Sequence, residues 1–134
     1  MKKESIDFMF LLQTVENFKE EIAEGETLGF KQILMLLLVL KYKNMTVTEL
    51  AVKMNVKQPS ISALSDKLIK KELIHRKYNA LDRRSVSINL TEKGVEKATW
   101  LKKKTENIMK EIEEFITLEE RILFNQILSK MNGF

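Results

Sequence analysis

The chain has 134 residues, of which 44% are hydrophobic and 31% are charged, and its formal net charge is +4. This length and balance fit one ordered, helix-rich domain rather than a disordered chain. The sequence contains no cysteine, which excludes disulfides, thiolate metal sites and cysteine-based redox sensing. The longest apolar run, Ile33 to Leu40, is far shorter than the about 20 residues needed to span a bilayer, so we expect a cytoplasmic protein.

Two helices are predicted in the N-terminal part of the chain. Apolar residues from Phe8 to Ile22 recur at steps of three and four, which predicts an amphipathic helix from about Ser5 to Glu24. A second helix, from about Leu28 to Tyr42, is apolar on nearly every side. We therefore expect the second helix at the centre of the fold.

A helix-turn-helix is predicted next. Thr46-Val47-Thr48-Glu49 is typical of a capping box that starts a short helix, and Asn55 is a residue type that tolerates a left-handed turn. Pro59 suits the first turn of the following helix, which is expected to continue to about Lys71. In such a motif the second helix leaves one side free to enter the major groove of DNA.

The outward positions of this second helix are polar, small or basic. Ser60 and Ser62 are short enough to let the backbone approach bases or phosphates, and Gln58 can bond either. The residues expected to bind DNA here are Lys57, Gln58, Pro59, Ser60, Ser62, Ala63 and Lys67. Helical hairpins that bind no DNA are common, so this motif alone is only moderately specific.

A β-hairpin is predicted after the helix-turn-helix. Leu73 to Lys77 and Val86 to Leu90 alternate as strands do, on either side of a polar, basic segment. A charged tip beside the recognition helix can reach the neighbouring minor groove, where an arginine gains from the negative potential. The residues expected to bind DNA here are Arg76, Lys77, Asp82, Arg83 and Arg84, with Asp82 orienting an arginine. The alternative is an ordinary solvated turn.

Positive charge is concentrated in this region. From Lys57 to Arg84 there are eight basic residues against three acidic ones, a local net charge of +5 that leaves −1 for the remainder of the chain. A basic face on an otherwise nearly neutral body is expected for a protein that binds a polyanion.

Two further helices are predicted at the C-terminal end, one opened by Thr91-Glu92-Lys93-Gly94 and one by a capping box at Thr117-Leu118-Glu119-Glu120. Together with the first helix they carry more apolar surface than one small core requires. The candidates for a subunit interface are Phe8, Leu11, Val15, Ile108, Ile112, Phe115, Ile122 and Phe134. The alternative is that all of them belong to the core of a monomer.

The stretch Asp82-Arg83-Arg84-Ser85-Val86-Ser87-Ile88-Asn89-Leu90-Thr91-Glu92-Lys93-Gly94 resembles the wing signature of the MarR (multiple antibiotic resistance regulator) family. The resemblance extends upstream through Thr46 to Arg76, and the helix order fits the rest of the chain. It implies a mainly α fold with a small β-hairpin, namely a winged helix-turn-helix domain with N- and C-terminal dimerisation helices. Residues 1–134 then form a single domain, with a DNA-binding part at about 28–92 and dimerisation helices at about 5–24 and 93–134.

The resemblance also implies a function. It predicts an obligate dimer that binds a near-palindromic operator, most simply as a repressor, with Asp82 and Arg84 at the aspartate and minor-groove arginine positions of the wing. Many family members release DNA when a small, often phenolic or anionic, molecule enters a pocket between the two parts, so a small-molecule effector is a candidate partner. The sequence departs from the family pattern at Lys57, Ala63 and Glu72, where a Ser or Thr cap, an arginine and a glycine are frequent.

Other classes of function are less well supported. The single histidine, His75, lies beside Arg76 on a predicted strand without a catalytic partner, so we expect no enzyme and no metal or cofactor. A winged-helix protein-interaction module would expose an apolar rather than a basic recognition surface. An architectural, weakly specific DNA-binding protein is favoured by the small residues of the recognition helix.

Overall fold

The structure, a computed structural model, describes residues 1–82 and 85–133. Its helices are α1 (Lys3–Ala23), α2 (Phe30–Lys41), α3 (Val47–Met54), α4 (Gln58–Lys70), α5 (Glu92–Glu113) and α6 (Leu118–Asn132), and its strands are β1 (Met45–Thr46), β2 (Ile74–Tyr78) and β3 (Val86–Leu90). The predicted mainly helical fold with a hairpin is confirmed. Among the described residues, none of these helices has the length and apolar character that a membrane span needs.

The strands form one antiparallel sheet in the order β1-β3-β2. β2 and β3 are the predicted hairpin, in register from Ile74 opposite Leu90 to Tyr78 opposite Val86. The sequence pattern does not predict β1, whose two residues pair with Ile88 and Ser87 of β3. A strand of two residues has no alternation to detect, so only its pairing with β3 defines it.

The buried core is centred on α2, as its apolar sequence predicts. Ile33, Met35 and Leu36 of this helix are almost fully buried. They belong to one hydrophobic cluster with residues of α3, α4, β3 and α5, which are Leu50, Ile61, Leu68, Ile88 and Leu101. Burial of this cluster fixes α3, α4 and the hairpin on one rigid body.

The predicted helix start at Thr46 and the turn after α3 are confirmed, and of the predicted capping box the structure has the bond to the Thr46 hydroxyl. The Thr46 hydroxyl accepts a hydrogen bond from the Glu49 amide at 3.0 Å, which caps α3. Asn55 adopts the left-handed conformation with φ 54°, and the Val56 amide donates to the Ala51 carbonyl at 3.0 Å. These bonds turn the chain sharply before α4.

Hydrogen bonds link the start of α5 to the segment that follows α4. The Thr91 hydroxyl accepts from the Gly94 amide at 2.9 Å and donates to the Glu72 carbonyl at 2.6 Å. The Thr91 amide donates to the Leu73 carbonyl at 3.0 Å. One threonine therefore caps α5 and satisfies two carbonyl groups in the segment that follows α4.

Two helices contribute little to the core. In α1 only Ile22 is buried, and no residue of α6 is buried. The capping box predicted at the start of α6 is nevertheless complete, because Thr117 and Glu120 each accept a hydrogen bond from the backbone amide of the other. Local bonds define the start of this helix, and packing within its own chain adds little.

Candidate nucleic-acid interface

The two sides of α4 differ in burial and chemistry. Ile61, Ser65 and Leu68 are buried and hold the helix on the core. The seven residues of this segment predicted to bind DNA are all exposed: Lys57, Gln58, Pro59, Ser60, Ser62, Ala63 and Lys67. Their exposure is the condition for DNA contact, and the contact itself stays a prediction.

The start of α4 is built as the sequence suggests. Lys57 occupies the N-cap position without a side-chain cap, and Pro59 lies in the first turn. The Gln58 side-chain amide donates to the Thr48 hydroxyl of α3 at 3.2 Å. Gln58 therefore links the two helices of the motif and retains its carbonyl oxygen and a second amide hydrogen for another partner.

An ion pair joins the wing to α4. The Arg76 guanidinium on β2 lies 2.8 Å from Asp66 Oδ1, and it also donates to the Ser62 carbonyl at 3.4 Å. Arg76 is therefore held against α4, close to the face predicted to bind DNA. The sequence does not predict this pair because the two residues lie on different elements, and only the fold brings them together.

Hydrogen bonds link the described residues of the wing loop. The Asn79 side-chain oxygen accepts from the Leu81 amide at 3.0 Å, and the Ser85 amide donates to the Asp82 carbonyl at 3.1 Å. Lys77 and Asp82 are exposed. Arg83 and Arg84, the two arginines predicted to reach the minor groove, lie outside the described residues.

A further basic patch lies at the end of α2, beyond the segment singled out in the sequence. The ammonium groups of Lys53 and Lys41 lie 4.6 Å and 5.2 Å from the centre of the Tyr42 ring. A hydrogen bond with Lys41, together with the positive charges of Lys41 and Lys53, holds the pKa of the Tyr42 hydroxyl below its usual value. Basic residues therefore extend to the α2–α3 corner.

The helix-turn-helix and wing form the part of the chain that matches a known family. The model of the MarR family matches residues 31–86, a span that runs from α2 to the first residue of β3. This part of the chain is similar to the MarR family. The match includes the helix-turn-helix and the first strand of the wing, and it ends within the stretch from Asp82 to Gly94 that carries the resemblance in the sequence.

Two curated relatives come from Bacillus subtilis (strain 168). The HTH-type transcriptional repressor MdtR is 29% identical over 121 residues, which cover 90% of this chain and 78% of the relative. The HTH-type transcriptional repressor YetL is 37% identical over 70 residues, which cover 52% of this chain and 42% of the relative. The YetL match therefore concerns about half of the chain.

Solved structures share the fold over nearly the whole chain. The S. aureus MepR-DNA complex matches with a TM-score of 0.82 at 20% identity, covering 99% of this chain and 98% of that one. Streptococcus pneumoniae FabT in complex with DNA matches with a TM-score of 0.78 at 20% identity, and the match covers 99% of this chain and 96% of FabT. The architecture, including the long terminal helices, is therefore that of these proteins.

Exposed apolar surface is found on α1, on α6 and in the turn between α5 and α6. Of the residues predicted at a subunit interface, Phe8, Leu11, Val15, Phe115 and Ile122 are exposed. Ile108 is partly buried against the core of its own chain, Ile112 is half-buried, and Phe134 lies outside the described residues. Other exposed apolar residues add to this surface: Phe10, Leu12, Leu118, Leu123, Phe124 and Met131.

The described residues offer no evident metal site. Within residues 1–82 and 85–133, no group of three or more His, Cys, Asp or Glu side chains is arranged to hold an ion. His75, on β2, is exposed.

Proposed function

We propose that this protein is a homodimeric, sequence-specific DNA-binding repressor of the MarR family. The observation that carries the proposal is the exposed face of α4, whose side chains are small, polar or basic and lie beside the wing. Ser60, Ser62 and Ala63 are small enough for the helix to lie deep in a major groove, while Lys57 and Lys67 supply positive charge.

The wing extends the same surface. β2 lies beside α4, where the Arg76 guanidinium is 2.8 Å from Asp66, so a duplex on α4 would meet the wing in the adjacent minor groove. The sequence of the loop, Asp82-Arg83-Arg84, carries the charge for that groove. The names of MdtR and YetL, both repressors, and the DNA complexes of MepR and FabT support DNA as the partner and repression as the outcome.

The exposed apolar surface of α1 and α6 supports a homodimer. The side chains of Phe8, Leu12 and Phe124 are 63%, 66% and 54% exposed. Full burial of an exposed apolar side chain stabilises a protein by about 1.5–3 kcal/mol, so covering these residues in an interface is favourable. Many large apolar side chains exposed on the same two helices indicate an interaction site. A second copy on this surface would repeat α4 roughly 34 Å away along the duplex, which suits a near-palindromic operator.

Two alternative functions make different predictions. A winged-helix protein-interaction module needs an apolar recognition surface, whereas the exposed face of α4 is polar, small and basic. An architectural DNA-binding protein would use the same basic surface without strong sequence preference. Sequence preference therefore separates it from a repressor.

Selection of bound fragments from genomic DNA tests the proposal. We expect the purified protein to enrich a small set of fragments that share an inverted repeat. On such a fragment, Lys67→Gln on α4 should lower the affinity and reduce the slope of log affinity against log salt by about 1 per subunit. The matched control, Lys103→Gln on the exposed side of α5, should change neither quantity, and equal losses in both variants would contradict a role for α4.

We further propose that a small-molecule effector releases the protein from DNA by binding between α2 and α5. A cleft of about 420 Å³ lies there, lined by Leu37 and Leu40 of α2 and Thr105 of α5. Thr105 Oγ1 is buried, and it has no hydrogen-bond partner in the described part of the chain. A buried hydroxyl of this kind favours a ligand that can bond it. An effector that weakens DNA binding of the wild type should lose that effect on Thr105→Val, and an unchanged effect would contradict this site.

A further inference from the structure

We propose that Gln58 reads one A·T base pair in each half of the operator, with Thr48 as the residue that positions its side chain. The base reading rests on the proposed function, because it requires a duplex on α4. It adds the identity of the base pair that is recognised and a residue of α3 that the sequence prediction does not include.

Gln58 occupies the first position of α4 and is exposed. The helix itself packs on the core through Ile61 and Leu68, whose side chains are fully buried. In a helix-turn-helix the N-terminal residues of the second helix are the ones that contact base edges. Gln58 is therefore placed to reach a base in the major groove.

Gln58 differs from the other exposed residues of α4 in its hydrogen-bonding groups. It carries the only side-chain amide in residues 57–71, so it combines donors and an acceptor in one plane. The side chains of Pro59 and Ala63 have neither, and a lysine ammonium only donates. A serine hydroxyl bonds several bases. Gln58 is therefore the residue of α4 best suited to select a single base.

The Gln58 amide is already hydrogen-bonded to Thr48. Gln58 Nε2 donates to Thr48 Oγ1 at 3.2 Å. Thr48 belongs to α3, which is anchored by the buried Leu50 and begins at the Thr46 cap. A side chain that is ordered before DNA binds loses less conformational freedom on binding. The contact with Thr48 therefore favours one orientation of the amide at the base.

The groups that remain on the Gln58 amide match adenine. Thr48 accepts one amide hydrogen, which leaves the second hydrogen and the carbonyl oxygen. At the major-groove edge of adenine the N6 amino group donates and N7 accepts, so one glutamine amide bonds both atoms. Guanine presents two acceptors at the same edge, and one of them would face the Gln58 oxygen without a hydrogen between them. An A·T pair is therefore preferred.

Selection of bound duplexes from a random pool tests the base reading with the full-length protein. We expect the wild type to select an inverted repeat in which one position of each half is A·T, favoured about tenfold over the other pairs. Gln58→Glu should select C·G at that position and leave the other positions unchanged, because a carboxylate accepts from the N4 amino group of cytosine. Gln58→Ala, which adds no charge, should tolerate all four pairs there.

Failure of the base reading and failure of the proposed function give different results. A selected sequence that is the same at every position in the wild type, Gln58→Glu and Gln58→Ala would overturn base reading by Gln58 and leave the repressor proposal intact. A wild type that selects no sequence would contradict the proposed function, and the base reading with it.

Thr48→Val tests the positioning role, because it removes the hydroxyl and keeps the shape of an exposed side chain. The readout is the ratio of affinities for two duplexes that differ only at the A·T position, which a general loss of stability does not alter. We expect the ratio to fall severalfold in Thr48→Val and to be retained in Thr48→Ser. Thr99→Val, at an exposed threonine of α5, should leave it unchanged. An unchanged ratio in Thr48→Val would overturn the role of Thr48.

Discussion

The backbone of Gly94 packs directly against the carbonyl group of Leu73. A Cβ atom built on Gly94 would overlap the Leu73 carbonyl oxygen and lie 2.8 Å from the carbonyl carbon. This contact joins the first turn of α5 to the segment between α4 and β2, and it gives the glycine of the wing signature a physical reason. Only glycine fits because the neighbouring atoms are backbone and not a movable side chain.

Gly94→Ala should therefore destabilise the protein. We expect a loss of about 2 kcal/mol or more in the free energy of unfolding, since α5 must move away from β2 to admit the methyl group. Urea unfolding followed by circular dichroism measures the loss. The matched control is Gly29→Ala at the N-cap of α2, where a Cβ has no heavy atom within 4 Å. If Gly94→Ala lost no more free energy of unfolding than Gly29→Ala, the result would contradict the close packing at Gly94.

Glu72 is strained at the end of α4. Its φ is 60°, and the Leu73 amide donates to the Leu68 carbonyl at 3.0 Å while the Glu72 amide donates to Ile69 at 2.9 Å. These bonds form a Schellman motif, which favours glycine at the left-handed position. We expect Glu72→Gly to raise the free energy of unfolding by about 1 kcal/mol.

The free energy of unfolding should change in the opposite direction when a glutamate inside a helix is replaced by glycine. Glu96→Gly in α5 should lower the free energy of unfolding by about 1 kcal/mol, because glycine is a poor helix former. Urea unfolding of both variants provides the comparison. Loss of stability in Glu72→Gly would contradict the assignment of strain to Glu72.

Local signals in the sequence predict most of the helices and their starts. Thr46, Asn55, Pro59 and Thr117 are placed correctly because capping bonds and left-handed turns involve residues only a few positions apart. The boundaries of the strands and helices differ by one or two residues from the prediction, except at Val86 to Leu90, where they agree. Fraying of helix ends accounts for differences of this size.

Features that depend on distant residues are absent from the sequence prediction. β1 exists only because Met45 and Thr46 pair with β3, and the Arg76–Asp66 pair joins two residues ten positions apart on different elements. Arg76 itself is a predicted DNA-binding residue, but nothing local indicates that α4 holds it. The predicted DNA and interface residues fall on exposed surfaces in most cases, and their roles stay predictions.

Asp66 should weaken DNA binding. Its carboxylate is 61% exposed on α4 and pairs with Arg76, so it both repels phosphate and competes for the guanidinium. We expect Asp66→Asn to raise the affinity for operator DNA and to steepen its salt dependence by up to about 1 unit of slope per subunit. Stability should change by less than about 1 kcal/mol, because the pair is partly exposed.

The control for Asp66→Asn is a variant in an ion pair remote from α4. Glu106 on α5 lies 3.9 Å from Lys102, and Glu106→Gln removes one negative charge as Asp66→Asn does. Fluorescence anisotropy with a labelled operator should show tighter binding for Asp66→Asn alone. Weaker binding of Asp66→Asn would indicate that the pair positions Arg76 for DNA and would reverse our interpretation.

A charge on the exposed surface of α6 should separate the subunits of the proposed dimer. Ile122 is 49% exposed, and Ile122→Glu would bury a carboxylate in an apolar interface, which is costly without a partner. Sedimentation analysis should show a monomer with reduced DNA affinity. Val52→Glu on α3, where Val52 is 69% exposed, should remain dimeric. A dimeric Ile122→Glu protein would contradict this interface.

The start of α6 should depend on pH through Glu120. Hydrogen bonding to the Thr117 backbone and side chain holds the pKa of Glu120 below its ordinary value of 4.5. The ionised carboxylate therefore contributes stability at neutral pH, and that contribution is lost as the pH falls through the lowered pKa. Glu120→Gln should lower the melting temperature at neutral pH and have little effect in acid. The same effect at both pH values would contradict the role of ionisation.

The salt dependence of operator binding, measured together with stoichiometry, tests the central claim most directly. A dimer that places α4 and the wing of each subunit on DNA neutralises several phosphates. Between about 50 and about 200 mM salt we expect the affinity to fall roughly a hundredfold or more, with two chains bound per inverted repeat. Binding that is insensitive to salt, or saturation at one chain per site, would contradict the account.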